Sequence, residues 1–203
     1  MKKIFLRLIC YLLIFTVSGC SSKIENLPDK VAENYLNGLA EKDFDTMDQY
    51  SIVEYDKIHK AIIEGAMEKY SKTESEIYEA MLIGKDVENK PSNYEDYKKI
   101  IVDSSKKDLE EEYGENYSIN TTVISSTDIV EEDKAKMLKE ASDYYDKLNI
   151  VISNIVNFSE IKEVKKMQCK VYISGTEETT EEFSIYVVKT GNEWKVLNIG
   201  IGN

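Results

Sequence analysis

Proline is nearly absent from this chain: its 203 residues contain two, together with nine glycines. That scarcity excludes a collagen-like fibre and a Pro/Gly-rich disordered chain. Cysteine is scarce too, and three thiols cannot staple a small disulfide scaffold. Stability must come from a buried core, for which 42% hydrophobic residues suffice. Basic residues are in deficit, 26 Lys and Arg against 38 Asp and Glu, for a formal charge of −12. Nucleic acid is excluded as a partner, because no basic surface is left to neutralise phosphates. Histidine occurs once, as His59. A zinc centre wants several His or Cys ligands, so no metal or other cofactor is expected. His59 stands between Lys57 and Lys60 on an expected helix and reads as a surface residue without a catalytic role.

What the chain does have is concentrated at its start. Lys2, Lys3 and Arg7 make a basic flank, and residues 8–17 form an uncharged, mostly apolar run of ten. A membrane-spanning helix needs about 20 apolar residues, so this run has instead the length of a signal-peptide h-region. Val17-Ser18-Gly19-Cys20 follows and resembles the lipobox of bacterial lipoproteins: a branched apolar residue, two small residues, then cysteine. The resemblance implies a diacylglyceryl group on the Cys20 thiol and cleavage between Gly19 and Cys20. It divides the chain into a signal peptide (1–19), a lipidated cysteine with a short tether (20–27) and a single α+β domain (28–203). It also implies a place, the outer face of the cell membrane, with the membrane as partner through Cys20.

One acyl chain holds a bilayer marginally and two hold it stably, at about 0.8 kcal/mol per buried methylene. Loss of residues 1–19 removes three basic residues and no acidic ones, leaving 23 against 38, or −15 over 184 residues. Such a charge repels an anionic bilayer within a Debye length of about 8 Å. The domain is therefore expected to hover above the surface rather than lie flat on it. Of the other thiols, Cys10 leaves with the signal, and Cys169 reads as a small buried apolar group on a strand.

The first half of the mature chain punctuates itself as helices. Pro28 suits a first helical position with Asp29 in the first turn, and Val31, Tyr35, Leu36, Leu39 and Ala40 recur at helical spacing. Asp43 is placed to cap a short helix through Phe44 and Met47. Ser51…Glu54, Thr73…Glu76 and Ser92…Glu95 read as capping boxes opening three further helices. The second of these ends near Gly84 and the third before Gly114.

The period then changes. Residues 117–129 alternate as a strand, 131–148 return to helical spacing, and 149–163 fit either. Met167, Cys169, Val171 and Ile173 alternate with Gln168, Lys170, Tyr172 and Ser174. Residues 175–182 read as a polar, acidic loop. Phe183, Ile185 and Val187 alternate again, and Gly191-Asn192 is a two-residue hairpin turn. Beyond it Trp194, Val196 and Asn198 oppose Lys195, Leu197 and Ile199. Helices first and an antiparallel meander last make the fold class α+β, with N-terminal helices packed on a C-terminal curved antiparallel sheet.

Val31-Ala-Glu-Asn-Tyr-Leu-Asn-Gly-Leu-Ala-Glu-Lys-Asp-Phe-Asp45 resembles the opening helix of the nuclear-transport-factor-two-like superfamily. Phe183-Ser-Ile-Tyr-Val-Val-Lys-Thr-Gly-Asn-Glu-Trp-Lys-Val196 resembles its closing hairpin. With the lipobox ahead of them, the two stretches look like small lipoproteins of unknown function from low-GC Gram-positive bacteria. The resemblance implies a cone of helices in a curled sheet; the helical spacing over 51–112 and 131–148 departs from that compact pattern and is expected to elaborate the cone and fill its usual cavity. The resemblance implies no particular chemistry.

Asp43, Asp45 and Asp48 resemble a fragment of a calcium loop, but the glycine and the distal glutamate of that loop are missing. Helix capping accounts for Asp43. The acidic runs Glu110-Glu111-Glu112, Glu131-Glu132-Asp133, Glu177-Glu178 and Glu181-Glu182 read as solvated surface. Among fourteen tyrosines, Tyr35, Tyr172 and Tyr186 join Trp194 as candidates to line a cone cavity, although half-buried packing with a wet hydroxyl is the plainer role. Two functions follow. One is a non-catalytic binding or interaction module at the membrane–cell wall boundary, serving an unidentified protein, wall or small-molecule partner. The other is an isomerase- or dehydratase-type enzyme, which needs a carboxylate in an apolar pocket with a hydroxyl in reach.

Overall fold

The structure, a computed structural model, describes residues 26–83, 90–148, 150–155 and 157–202, with side chains as far as Leu197. The signal peptide (1–19), Gly19 and Cys20 of the cleavage site, and the tether as far as residue 25 lie outside the described residues. So do Gly84 and the facing of Asn198 and Ile199.

Pro28, which has no N–H to leave unsatisfied, stands at the start of helix α1 (Pro28–Glu41). The helix ends at Lys42 in the left-handed conformation, φ 58°. Asp43 then caps α2 (Phe44–Tyr50) by accepting the Thr46 N–H, as its position suggested. Three longer helical segments follow: α3 (Tyr55–Tyr70), α4 (Glu74–Met81) and α5 (Tyr94–Tyr113).

Of the three expected capping boxes, Thr73…Glu76 forms, with both reciprocal bonds made. Ser51 does not cap. It is buried, its hydroxyl donates to the Val53 carbonyl at 2.9 Å, and it bridges Val196, because the chain there runs extended beside the sheet. At α5 the cap moves one residue on. Asn93 accepts the Asp96 N–H, while Ser92 bonds the Asp96 carboxylate.

The sheet is antiparallel in the order β1 (Ser118–Asp128), β2 (Ile161–Ser174), β3 (Glu178–Thr190) and β4 (Glu193–Gly202). Between β1 and β2 the chain makes helix α6 (Glu131–Lys147) and two short 3-10 turns, Ile152–Asn154 and Phe158–Glu160, so the described residues of 149–160 form neither a long helix nor a strand, while 161–163 open β2. A bulge between Val123 and Ser125 breaks the β1–β2 register. The acidic stretch is less of a loop than expected: Glu178 already pairs with Ser174, and Glu181 and Glu182 lie on β3 opposite Val171 and Lys170. Gly191 takes φ +60° in the β3–β4 turn, a conformation that suits glycine. The fold class is the α+β expected, with six α-helices among the described residues packed on an antiparallel sheet.

Strand pleating sends alternate residues to two faces, and each face meets a helix layer. On one, Met167, Cys169, Val171, Ile185, Val187 and Val196 pack against Val31, Tyr35 and Leu36 of α1 and Met47 of α2. On the other, Val164, Val188 and Leu197 pack against Met137, Leu138, Ala141 and Tyr145 of α6, with Ile58 of α3. Burying one such aliphatic side chain contributes about 1.5–3 kcal/mol. The Cys169 thiol is fully enclosed, and burial pushes its pKa up to about 12, so it is a packing group as expected. A third cluster, Ile63, Ile77, Tyr78, Leu82 and Tyr97, holds α3, α4 and α5 together.

Candidate functional site

The first described residue, Asn26, is fastened to the sheet. Its side-chain amide donates to the Trp194 carbonyl at 3.3 Å and accepts the Trp194 N–H. A primary amide offers the same donor and acceptor as a peptide group, so Asn26 fills the place of one more strand residue beside β4. Trp194 is 6% exposed, and the ammonium groups of Lys165 and Lys189 lie 5.9 and 5.5 Å from its ring centre. The ring's negative face attracts both. Lys165 also bonds Asp128 at 2.5 Å, Lys189 bonds Glu163 at 2.7 Å, and Lys195 donates to the Gln49 carbonyl at 2.5 Å. The chain is thus pinned six residues beyond Cys20.

The four aromatic candidates do not line one space. Tyr35 and Trp194 belong to the core between α1 and the sheet. Tyr172 and Tyr186 lie on the other face, since they alternate with Val171 and Ile173 and with Ile185 and Val187 in an unbroken β2–β3 register. Tyr186 packs against the α6-side cluster. Under α1, where a cone cavity would lie, Tyr35, Leu36, Met47, Met167 and Ile185 are packed at 2% exposure or less. Burial, with Tyr55 and Asp48 nearby, raises the Tyr35 hydroxyl pKa well above its ordinary value.

His59 is not on the surface. It is 4% exposed, because α3 aims the Tyr55–His59–Ile63 stripe at α4 and α5 while Lys57 and Lys60 take other faces. Its ring lies 4.6 Å from Tyr94, 5.1 Å from Tyr97, 5.8 Å from Tyr78 and 6.0 Å from Tyr55, all near parallel. Tyr55 in turn stacks on Phe44 at 4.5 Å, which joins the stack to α2. His59 Nε2 is buried and has no hydrogen-bond partner among the described residues.

Burial lowers the His59 pKa, against the opposite pull of Asp56 and Glu74, so the imidazole is neutral at pH 7. Around it, the Tyr94 hydroxyl donates to Asp56 at 2.6 Å and the Tyr78 hydroxyl donates to Glu74 at 2.9 Å. The i, i+4 spacing of Tyr55, His59 and Ile63 carries a signal for this burial, and it outweighs the flanking lysines.

Two grooves open beside the stack. One, of about 410 Å³, lies between the α1–α2 corner and α5, where Lys42, Lys98 and Lys106 face Glu41, Asp43 and Asp45. Burial, then Asp43, raises the Glu41 pKa. The Thr46 hydroxyl, which donates to its carboxylate, lowers that of Asp43. Lys98 bonds Asp45 at 3.1 Å and pairs with Asp56 at 3.7 Å. The three aspartates of the calcium-loop fragment therefore do separate work: Asp43 caps, Asp45 pairs with Lys98, and Asp48 accepts the Tyr55 N–H. The second groove, of about 430 Å³, runs along α3 and α4 and is lined by Ile62, Ile63, Ala66, Tyr70, Ile77 and Met81. Ile62, Tyr70 and Met81 are exposed there. No helix among the described residues is long and apolar enough to cross a membrane.

No protein-family model matches this chain, and no curated protein and no solved structure matches it.

Proposed function

We propose that this chain is a membrane-anchored extracytoplasmic lipoprotein, acylated at Cys20, and that it works as a non-catalytic binding or interaction module at the membrane–cell wall boundary. The reading of its domain as an elaborated relative of the nuclear-transport-factor-two-like cone belongs to the same proposal. One observation carries it: the lipobox stands six residues ahead of a side-chain clamp onto β4. Six extended residues reach at most about 20 Å, so a lipid on Cys20 holds the domain at the bilayer surface.

The α3–α4 groove supports binding as the task. Contiguous exposed apolar side chains mark docking surfaces more often than decoration, and here Ile62, Tyr70 and Met81 remain uncovered. The acid–base reading has Glu41, whose pKa burial raises, and Tyr117 on the wall of the first groove, but six of that groove's nine lining residues are charged, which is not the apolar pocket such chemistry needs. The hydroxyl–carboxylate pairs Tyr94–Asp56 and Tyr78–Glu74 line neither groove, and His59 Nε2 is walled in by rings.

Metabolic labelling with a fatty acid tests the anchor. The wild-type chain is expected to take up label and sediment with membranes, and Cys20→Ala to lose both properties. Label that survives this substitution refutes the assignment. For the binding role, a photocrosslinker at Met81 in intact cells is expected to capture a discrete partner. Turnover of a small molecule with nothing captured would favour the enzyme.

A further inference from the structure

The two ends of the sheet differ in charge. At the clamped end, Lys162, Lys165 and Lys166 of β2, Lys189 of β3, Lys195 of β4 and Lys134 of α6 stand against Asp128, Glu163 and Glu193 and against Glu131, Glu132, Asp133 and Glu160 just off the strand ends, so charge there is nearly balanced. At the opposite end, Lys170 stands alone among the sheet lysines against Glu178, Glu181 and Glu182, and Glu182 pairs with it at 3.6 Å. Glu177 in the β2–β3 turn and the acidic run 110–112 at the end of α5 add to that side. These two pieces are locked into one surface: the Thr176 N–H donates to the Tyr113 carbonyl at 2.7 Å, and a Cβ on Gly175 would fall 1.8 Å from the same oxygen. Helix α1 crosses from one end to the other, from the Asn26 clamp to the Thr121–Asn37 hydrogen bond of 2.7 Å. The tether therefore leaves from the end whose charge is nearly balanced.

We infer that the end of the sheet around the Gly191-Asn192 turn is the surface this domain turns toward an anionic phospholipid bilayer, with the acidic end pointing away. The inference rests on the anchored reading above and adds an orientation to it. Screening reaches about 8 Å, so charge matters only for whichever end lies in the headgroup layer. The acidic end is repelled from that layer far more strongly than the nearly balanced one. A reach of about 20 Å from Cys20 brings the clamped end close at no cost in chain extension. The residues of β3 between Thr180 and Thr190 extend about 30 Å, which carries the acidic end well clear of the screening layer.

The intact lipidated protein, reconstituted into phosphatidylglycerol–phosphatidylethanolamine vesicles, tests this with one fluorophore at a time, on Asn192→Cys or on Thr180→Cys. Both positions are exposed, whereas Cys169 is enclosed and its thiol stays unreactive. Energy transfer to a headgroup acceptor is expected to be severalfold stronger from position 192 than from 180, and the contrast to shrink in phosphatidylcholine vesicles. Equal transfer, or stronger transfer from 180, in protein that sediments with the vesicles overturns the orientation alone. A contrast unchanged in phosphatidylcholine overturns charge as its cause. Protein purified without acyl groups overturns the anchor and the orientation together.

Discussion

Two regions of this molecule are held together by different materials. Between α1 and the sheet, the enclosed side chains are mostly aliphatic or sulfur-bearing: Val31, Leu36, Met47, Met167, Ile185, Val187. Among α3, α4 and α5 the contact is largely aromatic, rings of Tyr55, Tyr78, Tyr94 and Tyr97 stacked around an imidazole. The side chains named for the first region are at most 1% exposed. The second buries a titratable nitrogen without a partner and leaves an apolar groove open to solvent. Stability should therefore concentrate in the first and responsiveness in the second.

The strongest way to break this comparison is to open each region by one side chain. Leu36→Ala, at 1% exposure, should cost about 3 kcal/mol in denaturant unfolding, within the 2–5 kcal/mol span of such deletions. Ile77→Ala, at 6% exposure beside the groove, should cost about 2 kcal/mol, since its surroundings can relax. An equal or reversed order would mean that the helical arm, not the sheet, carries the fold.

Acid sharpens the contrast next. The His59 pKa lies below its ordinary 6.5 in the folded chain, so just below that pH the unfolded chain binds the extra proton. Stability from this group is complete above about pH 6.5 and is lost progressively as pH falls through the unfolded pKa toward the folded one. Melting temperatures between about pH 7.5 and 5, above the ordinary carboxylate range, should fall with acid. His59→Phe should remove that slope and raise stability by about 1 kcal/mol at pH 7, because an unpaired buried nitrogen disappears. A slope unchanged in His59→Phe would place the acid sensitivity elsewhere. The smallest expected effect lies at the surface of the arm: Thr73→Ala should cost about 0.5 kcal/mol, the low end for an exposed cap, in the same unfolding experiment through loss of the α4 capping box, and a neutral result would mean that α4 is held by packing alone.

Much of this frame is legible in the sequence because it is local. The α1 stripe from Val31 to Leu39, the alternation of β2 and β3, the Asp43 cap and the Gly191-Asn192 turn each follow from a few consecutive residues. Failures occur where tertiary contacts overrule local signals. Ser51…Glu54 has the spacing of a capping box, yet pairing beside Val196 takes Ser51 into an extended segment. The alternation puts Tyr172 on the face opposite Val171, but only the packing of α1 on the Val171 face tells that Tyr35 and Tyr172 cannot meet. The Asn26–Trp194 clamp joins residues 168 positions apart, and no window of sequence contains it. His59 stood on a readable stripe, but its enclosure depends on tyrosines from two other helices.

The borders of the sheet have one more consequence. Along β4, Asn26 takes up the backbone groups of Trp194, and the Ile52 N–H donates to the Val196 carbonyl at 2.9 Å, so the start of that margin, as far as Val196, is occupied by the chain itself. Along β1, the bulge between Val123 and Ser125 interrupts the regular ladder and turns Ile124 outward. Exposed, regular margins are where sheets recruit further strands and begin to polymerise. With one margin capped over its first residues and the other kinked, the sheet offers an incoming strand little regular edge to extend.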